Sequence, residues 1–593
     1  MTPESTEPDD SATPAVIRFA RRLPRPIVAA LAGVAVVIGI LLVIRPTTAL
    51  DVLALLIGAG LVLAGLLELL FPVTRGDRIR MLLAAALAAT GVAVLVLPGL
   101  TVRALAVVVG VTLIVRGAIG VSVVVLGRER PLDRRVAETL AGIAGVVFGI
   151  LAIVWPDITL LVVAVVFGAA LTIAGAAALL RMLWAGHPPR PRADSLARRW
   201  FRTIGAVVAV LLAGGAVVVS VTLREGTPVV DDFYAAPRTV PDEPGRLIRA
   251  EPFTRAVPGG AIAWRILYTT THGDDSPAVA SGIVVAPVSG AEHPVIAWHH
   301  GTTGFDRACA PSLASEPFES GALFVLDQII ANGWALVATD YVGLGTEGPH
   351  PYMVGEVSGR AELDAVRAAR QLDGARLGGQ TVAWGHSQGG GASLWSAAIA
   401  SDYAPDVPLD GAVALAPAGD LPALVENLDR TRGGSVFAAF VISAYSALFP
   451  EVSFGEYVRP GAQVTVREMA ERCLAEPATL VSVLALVALK DDPDITGSDP
   501  STGPLGARLA QNVPAAASDV PVLIGQGGAD DIVSHGMQAD YVAKLCRAGA
   551  SVDYRAYGGL GHLTLVEPRS PAMAEAIAWT KDRFAGIEAH GTC

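Results

Sequence analysis

Metal-binding spacings are missing from this chain: it has no Cys-x-x-Cys pair and no His-Glu-x-x-His, so nothing in it argues for zinc, and neither a metal nor a cofactor is expected. Cysteine is scarce, four in 593 residues, and none precedes Cys309. Basic residues form no stripe outside a few loops and the formal net charge is −11, which argues against a nucleic-acid partner. Charge is thin throughout, at 17% of residues, and nearly absent from long apolar runs in the first 224 positions. Glu68 and Arg116 are the clearest exceptions there, and they read as paired or snorkelling side chains rather than as a transport path.

What is abundant is apolar sequence, 52% of residues with a mean hydropathy of +0.52, too much for ordinary soluble domains. The excess lies at the front, in runs close to the twenty residues that cross a hydrocarbon core. Spans are predicted at 27–44, 49–71, 81–97, 102–126, 137–155, 158–183 and 203–221, seven helices in all. The first six are three copies of one hairpin. Gly39, Pro46, Gly58 and Gly65 recur as Gly91, Pro98, Gly110 and Gly117, and again as Gly149, Pro156, Gly168 and Gly175, with spacings of 7, 12 and 7 each time. The prolines fall where a missing amide donor is harmless, between helices. The glycines fall inside helices, where a small residue lets neighbouring backbones approach in lipid. This repeat resembles the HdeD-like (DUF308) family of small membrane proteins over about residues 28–183, which implies a topology rather than an activity.

Arginines set the expected orientation. Arg18, Arg21, Arg22 and Arg25 precede the first span, and clusters around Arg78, Arg130 and Arg198 fill the second, fourth and sixth connections, whereas the opposite connections hold Arg45 and Arg103. By the positive-inside rule the N-terminus is cytoplasmic, and seven crossings leave the region after Arg224 outside. The domain plan is a tail at 1–26, a six-helix membrane domain at 27–183, a basic cytoplasmic loop at 184–202, a seventh helix at 203–223 and an extracytoplasmic domain at 224–593. Cysteine usage fits that plan, since Cys309, Cys473, Cys546 and Cys593 all lie in the last part and an even, exported set suggests two disulfides. Three pairings are possible, and Cys309 with Cys473 and Cys546 with Cys593 is the favoured one.

From about Asp231 short strands alternate with helices, the pattern of a mostly parallel sheet covered on both faces. Eight strands are predicted, near 262–269, 278–286, 294–298, 335–339, 381–384, 411–415, 520–524 and 552–557. The fifth of these runs into Trp384-Gly385-His386-Ser387-Gln388-Gly389, a Gly-x-Ser-x-Gly turn leading to a helix. That is the nucleophile elbow of an α/β-hydrolase, in which a strained turn lifts a serine hydroxyl above the sheet. A carboxylate at Asp530 or Asp531 follows one later strand, and His562 follows another, in the chain order Ser, acid, His that this fold requires. Gln388, after the nucleophile, offers one backbone donor for an oxyanion hole; Thr302 and Asp340, each after an earlier strand, are alternatives for the second. About a hundred residues separate the sixth and seventh strands, and residues 420–515 are expected to form a helical cap whose apolar side chains, Phe437 and Val441 among them, could line an acyl pocket. His299, His300, His350, His386 and His535 read as structural or substrate-facing.

Trp298-His299-His300-Gly301-Thr302-Thr303-Gly304, Cys309-Ala310-Pro311-Ser312, Thr339-Asp340-Tyr341-Val342-Gly343 and His350-Pro351-Tyr352 together resemble the secretory lipase family of fungi and actinobacteria, over about residues 232–590. The resemblance implies Ser387 as nucleophile, His562 as base and Asp530, through the Gly527, Asp530 and Val533 signature, as acid. The fold class expected is therefore multi-domain: an N-terminal all-α transmembrane bundle of three helical hairpins plus a seventh helix, then an α/β-hydrolase domain with a helical cap. The function expected is a membrane-anchored serine hydrolase of carboxylic esters, with lipid acyl esters as substrate and the bilayer as partner. A peptidase or an acyltransferase would use the same three side chains. A membrane transport or stress protein with a ligand-binding, hydrolase-like domain is the reading from another class.

Overall fold

Proline and glycine place the boundaries and contacts of the N-terminal helices. A computed structural model describes residues 24–45, 78–96, 98–126, 132–183, 196–224 and 228–593, apart from 432, 476, 478, 489–494 and 516–518, together with Ala59, Val62 and Leu66. The chain divides into two compact units, residues 1–214 and residues 215–487 with 493–593. The helices of the first part are α1 (Arg25–Ile44), α2 (Arg78–Val96), α3 (Pro98–Leu126), α4 (Leu132–Val154), α5 (Pro156–Leu183) and α6 (Leu196–Arg224). Pro98 and Pro156 each open a helix, at the position where no amide donor is needed.

The repeated glycines are contact points. A Cβ added to Gly149 would lie 2.6 Å from the backbone oxygen of Gly110, and one on Gly168 would lie 2.6 Å from the oxygen of Gly39. Only hydrogen fits there, so α3 packs on α4 and α1 on α5 through backbone contact, as small residues allow in lipid. In both pairs the first glycine of one copy meets the second glycine of another. Apolar side chains turned away from these seams are bare: Leu211 is 70% exposed and Ile173 69%. Among the described residues four helices are long and apolar enough to cross a bilayer, at Pro26–Ile44, Arg135–Val154, Pro156–Leu180 and Thr203–Arg224, and membrane association follows from such a surface. The expected spans 81–97 and 102–126 correspond to α2 and α3, the latter with a shorter apolar stretch at Ala106–Ser122. The expected span 49–71, with Glu68, lies outside the described residues apart from Ala59, Val62 and Leu66. Arg116 is exposed on α3. Residues 196–202, assigned by sequence to a basic loop, already belong to α6.

Among the described residues of the second unit nine strands form one sheet, in the order β1-β2-β3-β5-β4-β6-β7-β8-β9. They are β1 (Leu247–Phe253), β2 (Ala261–Thr271), β3 (Pro277–Pro287), β4 (His293–His299), β5 (Ala335–Val342), β6 (Leu377–His386), β7 (Gly411–Leu415), β8 (Val522–Gly527) and β9 (Val552–Tyr557). The first three and β5 pair antiparallel in turn, and β5, β4, β6, β7, β8 and β9 run parallel. Side chains alternate between two cores, with Val295, Ala297, Ala383, Ala412 and Ala414 on one face and Ile296, Trp298, Trp384, Val413 and Leu415 on the other. The alanine-rich face leaves room for two helices, numbered α8 (Gly355–Ala369) and α9 (Gln388–Tyr403) after a short α7 (Leu326–Ala331). The opposite face takes the large rings, and truncating a residue such as the fully buried Trp384 costs about 3–5 kcal/mol.

Between β7 and β8 come α10 (Leu421–Glu426), α11 (Gly434–Leu448), α12 (Phe454–Tyr457), α13 (Gln463–Ala470), α14 (Thr479–Ala488) and α15 (Gly503–Gln511), a helical insertion where the cap was expected. After β8 come α16 (His535–Arg547) and α17 (Pro571–Phe584). The favoured cysteine pairing is present: Cys309 joins Cys473, tying the segment after β4 to the insertion, and Cys546 joins Cys593, with Cα separations of 5.1 and 5.5 Å. Thr592 donates its N–H to Val552 O at 2.7 Å and accepts the Tyr554 N–H on its hydroxyl at 2.9 Å, so the C-terminal segment runs along β9. Strand β1 was not foreseen. It is an edge strand whose Ala250, Glu251 and Pro252 are exposed, so it lacks the apolar alternation by which strands are recognised.

Candidate active site

At the end of β6 the chain reverses into α9 within one residue, and that residue is Ser387. Its φ of 59° and ψ of −119° lie where side-chain-bearing residues are strained. Flanking glycines make the reversal possible: a Cβ on Gly385 would sit 2.0 Å from Gly389 O, and one on Gly389 would sit 2.0 Å from His299 O. The turn is held by Ser387 N–H to Leu415 O at 2.9 Å and by two amides, Gly391 and Ala418, donating to Ser387 O.

Asp530 lies just beyond β8, buried, with each carboxylate oxygen engaged. Oδ1 accepts the N–H groups of Ile532 and Val533 at 2.9 Å each. Oδ2 accepts Gln526 Nε2 at 3.1 Å and His562 Nδ1 at 2.8 Å. The neighbouring Asp531 is exposed, so of the two acids open to the sequence it is Asp530 that meets the imidazole. Because a carboxylate accepts, Nδ1 of His562 carries the proton and Nε2 is left with its lone pair. Among the described residues no hydrogen bond joins that Nε2 to Ser387 Oγ, a bond that often tightens only when substrate is bound.

Ser387 opens into a cleft of about 420 Å³, counting space open to solvent, under the helical insertion. Thr302, Tyr352 and Met353 line it from the sheet side, and Phe437 and Val441 of α11 line it from above. An apolar cleft ending at a hydroxyl suits an acyl chain. Gln388, first residue of α9, has an N–H with no acceptor among the described residues, as the opening amides of a helix usually do. Thr302 shares the cleft with Ser387, its hydroxyl bonded to Tyr352 Oη at 2.9 Å. Asp340 does not line the cleft: its carboxylate accepts from Ser281 Oγ and Ser312 N–H, and burial raises its pKa.

Burial also holds the surrounding histidines neutral. The pKa of His299 falls to about 3 and that of His300 to about 4, each mainly through desolvation. His350 receives a hydrogen bond from Gln388 Nε2 at 3.3 Å and is likewise pushed down by burial, to about 3. Sequence reasoning did not single out Gln526, whose amide also donates to Val533 O at 2.8 Å and so braces the Asp530 turn. It read His386 only as structural or substrate-facing, and in the structure that ring touches the His562 loop. The only available signal for His386 was its place beside the nucleophile.

Comparison with known proteins finds lipase relatives for the second unit and a membrane repeat for the first. Residues 321–591 match the secretory lipase family, and residues 30–90, 82–135 and 140–220 match DUF308, a short repeat of unknown function. A protein of Mycobacterium tuberculosis named "Probable inactive lipase MT1628" is 27% identical, the alignment covering 61% of this chain and 84% of the relative. Lipase 6 of Candida albicans is 26% identical, over 62% of this chain and 83% of that one. The crystal structure of Candida antarctica lipase A superposes with a TM-score of 0.52 at 20% identity, covering 62% of this chain and 88% of that one, which shows a shared α/β-hydrolase fold.

Proposed function

Since the chain joins a secretory lipase domain to DUF308 repeats, we propose that it is a membrane-anchored serine hydrolase that cleaves carboxylic esters of lipids, with Ser387, His562 and Asp530 as its catalytic triad. The observation that carries the reading is the 2.8 Å hydrogen bond from His562 Nδ1 to Asp530, beside a serine held at positive φ on a strand-to-helix turn. In this mechanism Ser387 Oγ attacks the ester carbonyl while His562 Nε2 takes its proton, and Asp530 stabilises the resulting imidazolium. The tetrahedral oxyanion is met by the Gln388 N–H and by a second amide, from Thr302 or Asp340. Collapse releases the alcohol, which takes the proton from His562; water, activated by the same imidazole, then frees the acid and restores Ser387. The catalytic domain faces outward, in keeping with its two disulfides and with arginines on the cytoplasmic side of the membrane helices.

A second reading has specific support. One relative is named an inactive lipase, and Ser387 has no hydrogen bond to His562, both of which would suit a domain that binds acyl ligands without turning them over. A membrane-impermeant fluorophosphonate probe applied to intact cells separates the two. Labelling of the unsubstituted chain, its loss in Ser387→Ala, and nitrophenyl-ester hydrolysis reduced more than about a thousandfold in that variant are the expected results. Unlabelled but folded protein would favour the binding reading. Amide hydrolysis faster than ester hydrolysis would point to a peptidase.

A further inference from the structure

We infer that His386, the residue before the nucleophile, is a positioning residue for His562; the inference rests on the triad proposed above. Its Nε2 lies 3.0 Å from the backbone carbonyl oxygen of His562, and the two rings lie 4.6 Å apart, tilted by 48°. A carbonyl oxygen can only accept, so His386 carries its proton on Nε2 and donates it to His562 O. The other nitrogen, Nδ1, is buried with no partner among the described residues. A second proton there would leave a buried cation beside the imidazole that must become cationic during catalysis. Burial first, and the charge of His562 second, push the His386 pKa well below its ordinary value, so the ring stays neutral.

The bond has a clear geometric effect. His562 sits on the loop after β9, far along the chain from the elbow, with its side chain fixed at Asp530. His386 ends β6, and Ser387 follows directly. The hydrogen bond therefore anchors the backbone of the base to the strand that carries the nucleophile, setting the approach of Nε2 to Oγ from two sides: Asp530 orients the ring and His386 holds the main chain. Gly301 packs against His386, where an added Cβ would lie 3.5 Å from both Nδ1 and the backbone oxygen, so the ring has a fixed wall behind it.

The test is steady-state ester hydrolysis by the full-length chain in detergent, with kcat expressed per fluorophosphonate-titrated site so that unfolded protein is not counted. His386→Phe keeps a ring but cannot donate, and His386→Leu is a second non-donor should the larger ring disturb packing. His386→Gln places an amide N–H near the position of Nε2. The expected result is a kcat lowered about 10- to 100-fold in the non-donors, the scale of an ångström of misplacement, with KM within about threefold, and recovery of most of that loss in His386→Gln. A purely structural role would lower the yield of titratable sites and leave kcat per site alone. Equal kcat per site in His386→Phe, or equal losses in the Gln and Phe variants, overturns the inference. Failure of the underlying triad would look different, because the unsubstituted chain itself would not be labelled.

Discussion

Replacing Gly389 by alanine is the sharpest test of how the elbow is built. The new methyl carbon would lie 2.0 Å from His299 O, 2.5 Å from His299 C and 2.6 Å from His300 O. Ordinary contact begins near 3.4 Å, so the helix start and the β4 loop must part by about 1.4 Å. These three nearest atoms all belong to the backbone, and none can swing aside as a flexible side chain would. Forced overpacking of this kind costs about 1–3 kcal/mol. At roughly 1.3 °C per kcal/mol for a unit of this size, from about 2.1 cal/mol/K of unfolding entropy per residue, the melting temperature should fall by about 1–4 °C. The catalytic effect should be larger, because a displacement of an ångström at a reacting atom costs on the order of a hundredfold in rate. Gly379 supplies the control: it lies on the same strand, β6, and an added Cβ would meet nothing within 4 Å. Thermal melts and nitrophenyl-ester turnover of Gly389→Ala and Gly379→Ala in the full-length chain therefore make one experiment. A Gly389→Ala protein within 1 °C and twofold of its Gly379→Ala counterpart would refute the argument.

Two further perturbations follow from buried groups and cross-links. Glu362 of α8 is fully buried, accepts the Thr339 N–H on Oε2 and, among the described residues, has no partner on Oε1, so burial raises its pKa well above the ordinary 4.5. The folded chain thus binds a proton that the unfolded chain releases above pH 4.5; the stability from this group is whole below that pH and falls by about 1.4 kcal/mol per unit as pH rises toward the folded value. Glu362→Gln, which cannot ionise, should melt higher than the parent by a margin that widens from pH 5 to pH 8, and a constant or shrinking margin would contradict this. Cys309→Ala with Cys473→Ala opens a cross-link spanning 164 residues, expected to cost about 3–5 kcal/mol, seen as a lower denaturation midpoint; an unchanged midpoint would show that the bond contributes nothing.

The parts of this protein that could be read from sequence are those where the backbone forbids alternatives. Gly385 and Gly389 stand where any side chain would strike a carbonyl, and the elbow was recognisable for that reason. The helical character of the insertion was legible because α11 and α14 are largely apolar runs. Strand β1 escaped notice since Arg249, Glu251 and Pro252 give an edge strand the composition of a loop. A second oxyanion donor could not be chosen between Thr302 and Asp340, since a backbone N–H leaves no mark on residue identity; their surroundings do differ, with Thr302 in the cleft and the Asp340 carboxylate held by serines. The repeat revealed which glycines are equivalent but not which copies touch: that Gly39 meets Gly168 and Gly110 meets Gly149 is a property of the assembled bundle.

The C-terminal segment bears on how many copies can share a crowded bilayer. With Thr592 bonded along β9 and Cys593 fastened to Cys546, the Val552 carbonyl and the Tyr554 N–H at the start of that flank of the sheet are already taken. The opposite flank is β1, where Pro252 lacks an amide and the charges of Arg249 and Glu251 must be desolvated before a foreign strand can add. Neighbouring molecules held at high local density in one membrane plane therefore meet a partly covered border on one side and a charged, proline-bearing one on the other, both of which resist sheet extension.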